Sequence, residues 1–237
     1  MLENITATIF LGRAIGLLLG FTIHEWAHAY SAYRLGGYRA LPDPQRLSLD
    51  PRVHVEPIGI FLALFVGFGW ARPVPVNTYA FRNGRRDLMI VAFAGPLTNL
   101  IIAFVFALVL RLMDVGGALV DSGFVIRGSQ TVILQGDNRF FQVIYEVFSV
   151  VIFFNLLLFF FNLIPLAPLD GWKVLMGLLP PQNAYALSRY EQQSTYLLFF
   201  LILLGFVGFS FVGILLSPAV NSVFELFTGF GYYPFLP

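Results

Sequence analysis

Long apolar stretches separated by short polar ones set the first expectation. Residues 5–35, 88–113, 140–163 and 195–216 are predominantly apolar over about 20 residues or more, the length of helix that spans about 30 Å of hydrocarbon. Four membrane-crossing helices are predicted, the first stopped by Gly36 and Gly37 because glycine accepts left-handed end geometry. A further apolar piece, residues 58–70, has about half the length a crossing needs. Prolines and glycines recur between residues 36 and 75, with short β-branched runs such as residues 52–55, so strands or turns are expected there in place of helix.

Arginine positions decide how the short piece is threaded. Arg34, Arg39, Arg46 and Arg52 precede it and Arg72, Arg82, Arg85 and Arg86 follow it, whereas residues 114–139 carry two arginines against three aspartates. Arginine-rich loops stay in the cytoplasm. A crossing at 58–70 would strand one of them outside, so a re-entrant or interfacial segment with both flanks cytoplasmic is predicted. The first long span then runs inward, the second leaves, the third returns and the fourth leaves, placing both chain ends away from the cytoplasm. The expected fold class is an all-α polytopic membrane protein: a helical bundle of about four to six membrane segments with a small β or re-entrant element between the first and second core spans.

Composition supports this and narrows the chemistry. Hydrophobic residues make up 58% of the 237 and charged residues 11%, far from the mix of a soluble globule, and residues 1–237 read as one membrane-embedded domain without internal repeats. Residues 1–20 lack the basic opening and small-residue cleavage site of a secretory signal and are read as retained. A net charge of +1 with scattered arginines offers no stripe for nucleic acid, which is not expected as a partner. The absence of cysteine removes disulfides, thiolate ligands and cysteine nucleophiles together, leaving histidine and carboxylates as the metal-binding side chains.

The first span contains His24-Glu25-Trp26-Ala27-His28. Histidines at i and i+4 share one helical face with about 6 Å of rise between them, so two imidazoles can grip one metal. Glu25 stands where zinc metallopeptidases place the group that takes a proton from a metal-activated water. A lone histidine in an apolar helix is ordinarily a satisfied core residue. Several ionisable groups clustered at membrane depth are different, because an acidic residue there costs at least about 2.5 kcal/mol and so lines a site or cavity.

Catalytic zinc takes three protein ligands and keeps a fourth position for water. Two residues compete for the third place. His54 falls between Arg52 and Glu56, a setting that suits a solvated or interfacial histidine. Asp170 is better placed, in Asn162-Leu163-Ile164-Pro165-Leu166-Ala167-Pro168-Leu169-Asp170-Gly171, where two prolines and a glycine end the third span and let a carboxylate turn inward. Its depth agrees too, since the first and third spans both run toward the cytoplasm and carry these residues near that end. The alternative for Asp170 is a cap for a helix over residues 172–179. The second span contributes Ala94-Gly95-Pro96-Leu97-Thr98-Asn99, in which Asn99 either repairs backbone freed by the proline or faces a site.

Together these pieces resemble the site-2 protease family of intramembrane zinc metalloproteases. That family has a histidine-glutamate helix, a glycine-proline-x-x-asparagine element on the next core helix and a leucine-aspartate-glycine element, here His24 to His28, Gly95 to Asn99 and Leu169 to Gly171, in the family's order across about 150 residues. The resemblance implies that His24, His28 and Asp170 bind one zinc ion, that Glu25 is the general base, and that Asn99 positions substrate or stabilises the oxyanion. It also implies a site in the cytoplasmic half of a prokaryotic cell membrane. The chain departs from the pattern at Gly36-Gly37, where many members have glycine-aspartate, and at Asp50-Pro51, where many have asparagine-proline; neither touches a proposed ligand. The peptide-binding and nucleotide-sensing domains and leading helix of larger members have no counterpart in these residues.

The activity expected is hydrolysis of peptide bonds in single-span membrane proteins within the lipid bilayer. A substrate helix hides its carbonyls in its own hydrogen bonds, so cleavage requires local unwinding in a watered cavity. Residues 38–75 are a candidate strand edge for the unwound segment, and the span at 195–216 a candidate mobile wall. One rival reading is a catalytically inactive relative that binds membrane helices; retention of Glu25 opposes it, because zinc binding needs the histidines and the aspartate but not the base. Another is a metal transporter conducting past His24, Glu25 and Asp170, although the paired repeats common in transporters are not evident.

Overall fold

The computed structural model describes residues 6–66, 68–115, 124–127, 130–133 and 139–229. Helix α1 spans Ala7–Ala40 and is followed by a 3-10 turn, Pro44–Leu47, and two short helices, α2 (Pro51–His54) and α3 (Pro57–Phe65). Next come α4 (Arg85–Val115), an antiparallel hairpin of β1 (Phe124–Arg127) and β2 (Gln130–Ile133), and α5 (Arg139–Asn162). Four further helices complete the described chain: α6 (Asp170–Leu178), α7 (Pro181–Ser188), α8 (Glu191–Phe206) and α9 (Phe211–Thr228).

Among the described residues α1, α4 and α5 are long and apolar enough to cross a membrane, matching the first three expected spans. Their apolar character continues all the way round. On α4, Ala103, Ala107 and Leu110 are buried while Phe104, Leu108 and Leu112 are exposed, the distribution of a helix packed on one side and bathed in lipid on the other. The buried face joins Ile152 and Leu156 of α5 and Val220 and Phe224 of α9 in the main core cluster.

Helix α1 reaches α5 through a stripe of glycines four residues apart. A Cβ added to Gly12 would sit 2.8 Å from Val150 Cβ, and one on Gly16 would sit 3.1 Å from Val151 Cα. In lipid, helix association gains little from hydrophobicity, so this backbone-to-backbone approach supplies the contact. Thr6 caps the start of α1 by accepting from Ile9 N, and Gly37, at φ 63 and ψ −159, breaks the helical geometry at the expected stop.

The piece at 58–70 doubles back on itself. Its helical part, α3, has nine residues, about 14 Å of rise, too short to cross. The chain then folds straight back on itself: Val55 forms an isolated antiparallel bridge with Ala71, a Cβ on Gly59 would collide with the Trp70 carbonyl, and one on Gly69 would lie 2.6 Å from Ala63 Cβ.

Three expectations need correction. Strands or turns do not replace helix over 36–75: Asp50 accepts from Arg52 N and Pro51 opens the turn, so residues 51–54 become α2 and not a strand, α3 follows, and among the described residues strand pairing between the first two core spans shrinks to the bridge at Val55. The Arg52 side chain also bonds the Asp50 carboxylate, holding it below the usual carboxylate range. The β-hairpin forms elsewhere, between α4 and α5. Residues 195–216 are not one span: the helix stops at Phe206, Gly208 takes φ 95, and Ser210 restarts it as α9 by accepting from Gly213 N. That break removes the basis for placing the far chain end by counting crossings.

The glycine stripe yields a direct test. Gly12→Val forces branched carbons against Val150 and the Val147 carbonyl, and is expected to destabilise the bundle by about 1–3 kcal/mol. Thermal unfolding in detergent micelles should show a lowered midpoint; an unchanged midpoint would disprove close α1–α5 packing.

Candidate metal centre

Helical spacing on α1 brings the two buried imidazoles of His24 and His28 together edge to face, with ring centroids 4.7 Å apart. Helix α4 crosses directly over them at Gly95. A Cβ there would lie 2.7 Å from His24 Nε2 and collide with His28 Nε2, so glycine is what lets α4 close over the rings.

Each ring is oriented by its other nitrogen. His28 Nδ1 lies 2.7 Å from the Val91 carbonyl oxygen, which can only accept, so Nδ1 carries the proton and Nε2 presents a lone pair. His24 Nδ1 lies 2.6 Å from Asn99 Oδ1. Asn99 Nδ2 donates to the Gly20 carbonyl at 3.2 Å and to Asn155 Oδ1 at 3.0 Å, which fixes the amide orientation and leaves Oδ1 to accept from His24. Asn155 closes the network by donating to the carbonyls of Gly16 and Val151.

The break after α5 delivers the third group. Asp170 is the first residue of α6, but the residue in the cap position is Leu169, and the aspartate side chain turns instead toward the imidazoles. A Cβ on Gly171 would collide with the carbonyls of Leu163 and Ile164, so glycine permits the tight return of the chain. The loop is tied to α8, because Ala167 N donates to the buried Ser194 Oγ at 3.0 Å.

Three donor atoms converge. Asp170 Oδ2 is 3.1 Å from His24 Nε2 and 3.2 Å from His28 Nε2, and the two Nε2 atoms are 3.0 Å apart. Tetrahedral zinc with bonds of 2.0–2.1 Å separates its ligand atoms by about 3.3 Å, so the set fits. With both Nδ1 protons directed outward, three electron-rich atoms face one another, and a cation between them relieves the repulsion. Among the described residues, these three form the group able to hold a metal ion. His54, the other candidate third ligand, is fully buried elsewhere and bonds the Ser48 carbonyl at 2.7 Å.

Glu25 projects beside this group into a cavity of about 710 Å³. Its Oε2 accepts from Val74 N at 3.2 Å. The cavity is mostly apolar, with Phe21, Trp70, Leu158, Phe161 and Phe199 in its walls and Lys173 4.0 Å from Asp170 Oδ1. Asn99, expected to meet substrate or oxyanion, is wholly buried, with its oxygen facing His24 and its nitrogen facing Gly20 and Asn155. Asn155 escaped the sequence reading, although an asparagine in the middle of an apolar span was itself a signal. Val74 gave none, being an ordinary valine between prolines.

Comparison with known proteins agrees with this geometry. The family model for peptidase family M50 matches residues 12–206. The chain belongs to that family. It is therefore placed among membrane-embedded metalloproteases by both its helices and its relatives. The M50 chain is 36% identical over 214 residues to "Putative zinc metalloprotease YwhC" of Bacillus subtilis, covering 90% of each protein. It is 26% identical to "Putative zinc metalloprotease Rip2" of Mycobacterium tuberculosis, over 92% of this chain and 71% of that one. It is 27% identical to "Putative zinc metalloprotease MJ0611" of Methanocaldococcus jannaschii, over 73% of each. No solved structure matches the M50 chain significantly.

Loss of the outward bond should weaken metal binding without removing a ligand. Asn99→Leu is expected to lower zinc affinity about 10–100-fold, measured by competition with a chromophoric chelator. Wild-type affinity in this variant would show that the bond to His24 does not orient the ring.

Proposed function

We propose that this protein is a zinc-dependent intramembrane endopeptidase of the site-2 protease type, acting on single-span membrane proteins from the cytoplasmic side of a prokaryotic cell membrane. The observation that carries this reading is the convergence of His24, His28 and Asp170 beside Glu25 in one apolar cavity. The zinc metalloprotease names of the relatives point to the same metal. The cytoplasmic assignment rests on Arg34, Arg39, Arg46, Arg72 and Arg85, which flank the site-bearing ends of α1 and α4.

When bound, zinc would supply Lewis-acid activation of a water molecule and of the scissile carbonyl. His24, His28 and Asp170 would hold it, beside the cavity that Glu25 also lines. Glu25 takes a proton from the attacking water. With Oε2 fixed by Val74 N–H, Oε1 is the oxygen left to receive it. The water oxygen bonds to the carbonyl carbon, the C–N bond breaks, and Glu25 passes the proton to the leaving amine nitrogen. Apolar walls exclude bulk water and suit the large apolar side chains of a membrane helix.

An unwound substrate needs backbone partners in place of its own helix. Pro73 and Pro75 hold Arg72 and Val74 extended, and neither proline has an N–H to satisfy. Among the described residues, the Val76 N–H and the Val74 carbonyl have no hydrogen-bond partner, and both residues line the cavity. They form a short edge on which a substrate strand can pair. Asn99 acts here by positioning His24.

The test is purified protein in proteoliposomes with a single-span substrate, beside Glu25→Gln. Wild type is expected to carry one zinc and to cut; the variant is expected to keep its zinc and lose at least about 10²-fold in rate. Equal cleavage by both would remove Glu25 from its role, and a wild type that binds no zinc would end the reading.

A further inference from the structure

Resting on that reading of Glu25, we infer that Arg46 is a positioning residue for the general base and acts through the backbone of residues 72–74. Arg46 sits on the 3-10 turn Pro44–Leu47, only 5% exposed, and is absent from the cavity lining. Its Nη1 donates to the Arg72 carbonyl at 2.9 Å and its Nη2 to the Pro73 carbonyl at 3.1 Å, while Nε lies 3.5 Å from Asp43 Oδ2. Spanning two successive carbonyls takes a rigid planar fork, which an ammonium group lacks.

The turn that carries Arg46 is itself fastened to α1. Trp26 Nε1 donates to the Leu47 carbonyl at 3.1 Å, and Trp26 is the neighbour of Glu25. The bonds therefore close a ring: from Glu25 to Trp26, across to Leu47 and Arg46, across again to Pro73 and Val74, and from Val74 N–H back to the Glu25 carboxylate. Outside this ring the segment is pinned at two ends, where Arg72 N donates to the His54 carbonyl at 2.8 Å and Asn77 N to the Ala40 carbonyl at 2.9 Å.

Between those pins residues 73–76 belong to no helix or sheet. Two of the four are prolines, so no ladder of amide bonds can fix them. Beside the Asn77 and Val74 amide bonds to α1, the guanidinium holds the carbonyls of residues 72 and 73 to the turn that Trp26 fastens to α1. Moving the segment away would leave a buried charge without two of its acceptors, a costly state that keeps Val74 N–H on Glu25.

The test combines hydrogen exchange across residues 71–77 with zinc content and steady-state cleavage for wild type, Arg46→Gln and Arg46→Lys. In Arg46→Gln, protection of the Arg72 and Val74 amides is expected to fall at least about tenfold while α1 and α5 keep theirs. Zinc content should not change, and kcat should drop by about 10²-fold, more than KM rises. Arg46→Lys, with charge but no fork, should fall between. Unchanged Val74 exchange or unchanged kcat in Arg46→Gln overturns the inference, as does a loss of protection throughout the bundle in both variants. Should Arg46→Gln fail to fold, Arg46→Lys decides on the same readouts. A wild type that binds no zinc or cuts nothing defeats the proposed function instead, and the exchange measurement still decides whether Arg46 holds the segment.

Discussion

Three lone pairs aimed at one point inside an apolar bundle dominate this structure. His24 Nε2, His28 Nε2 and Asp170 Oδ2 stand 3.0–3.2 Å apart, and the outward hydrogen bonds of both rings direct their protons away from the meeting point. Left without a cation the arrangement would be repulsive and poorly solvated, so it stores a demand for positive charge. Much else follows from keeping these atoms in place. Gly95 lets α4 close over the rings, the Asn99–Asn155 pair ties α1 to α4 and α5, and Gly171 lets the chain double back so that Asp170 faces inward.

The parts legible in the sequence were those with a strong local signature. Length and apolarity located the three long helices, because only a helix satisfies its own backbone in lipid. The i, i+4 pair on α1 and the proline break after α5 each announced their residues, and arginine placement argued that residues 58–70 turn back, as the Gly59 and Gly69 contacts show. Asp170 could be read as a ligand or a helix cap, and the cap reading fails: Leu169 holds the cap position of α6, and the Asp170 carboxylate turns to the two imidazoles.

What stayed hidden depends on contacts between distant segments. Residues 195–216 look like one span because every residue but a few is apolar, and composition does not register that Gly208 at positive φ and Ser210 as a cap end one helix and start another. Residues 52–55 have strand-like side chains, but Asp50 and Pro51 start a helix more effectively than four residues can start a strand. Arg46 read as one more cytoplasmic arginine. Its function as a fork exists only once residues 72 and 73 arrive beside it.

Local rules of helix formation are broken at several points around the metal centre, where the breaks bring chemical groups together. Gly95 would weaken any ordinary helix, yet its missing Cβ lets α4 come within reach of the imidazoles; Pro165, Pro168 and Gly171 spoil the continuation of α5 and thereby present a carboxylate. Pro73 and Pro75 remove amides that a sheet would require, leaving Val74 N–H to serve Glu25. The stability forgone at these points must come from elsewhere, and it comes from regions with no chemistry: the glycine stripe of α1 on α5 and the alanine-rich face of α4 against α5 and α9. The same glycines do both jobs at the boundary. Gly20 ends the packing stripe and also offers its carbonyl to Asn99, so the contact that joins two helices is continuous with the bond that orients the first ligand.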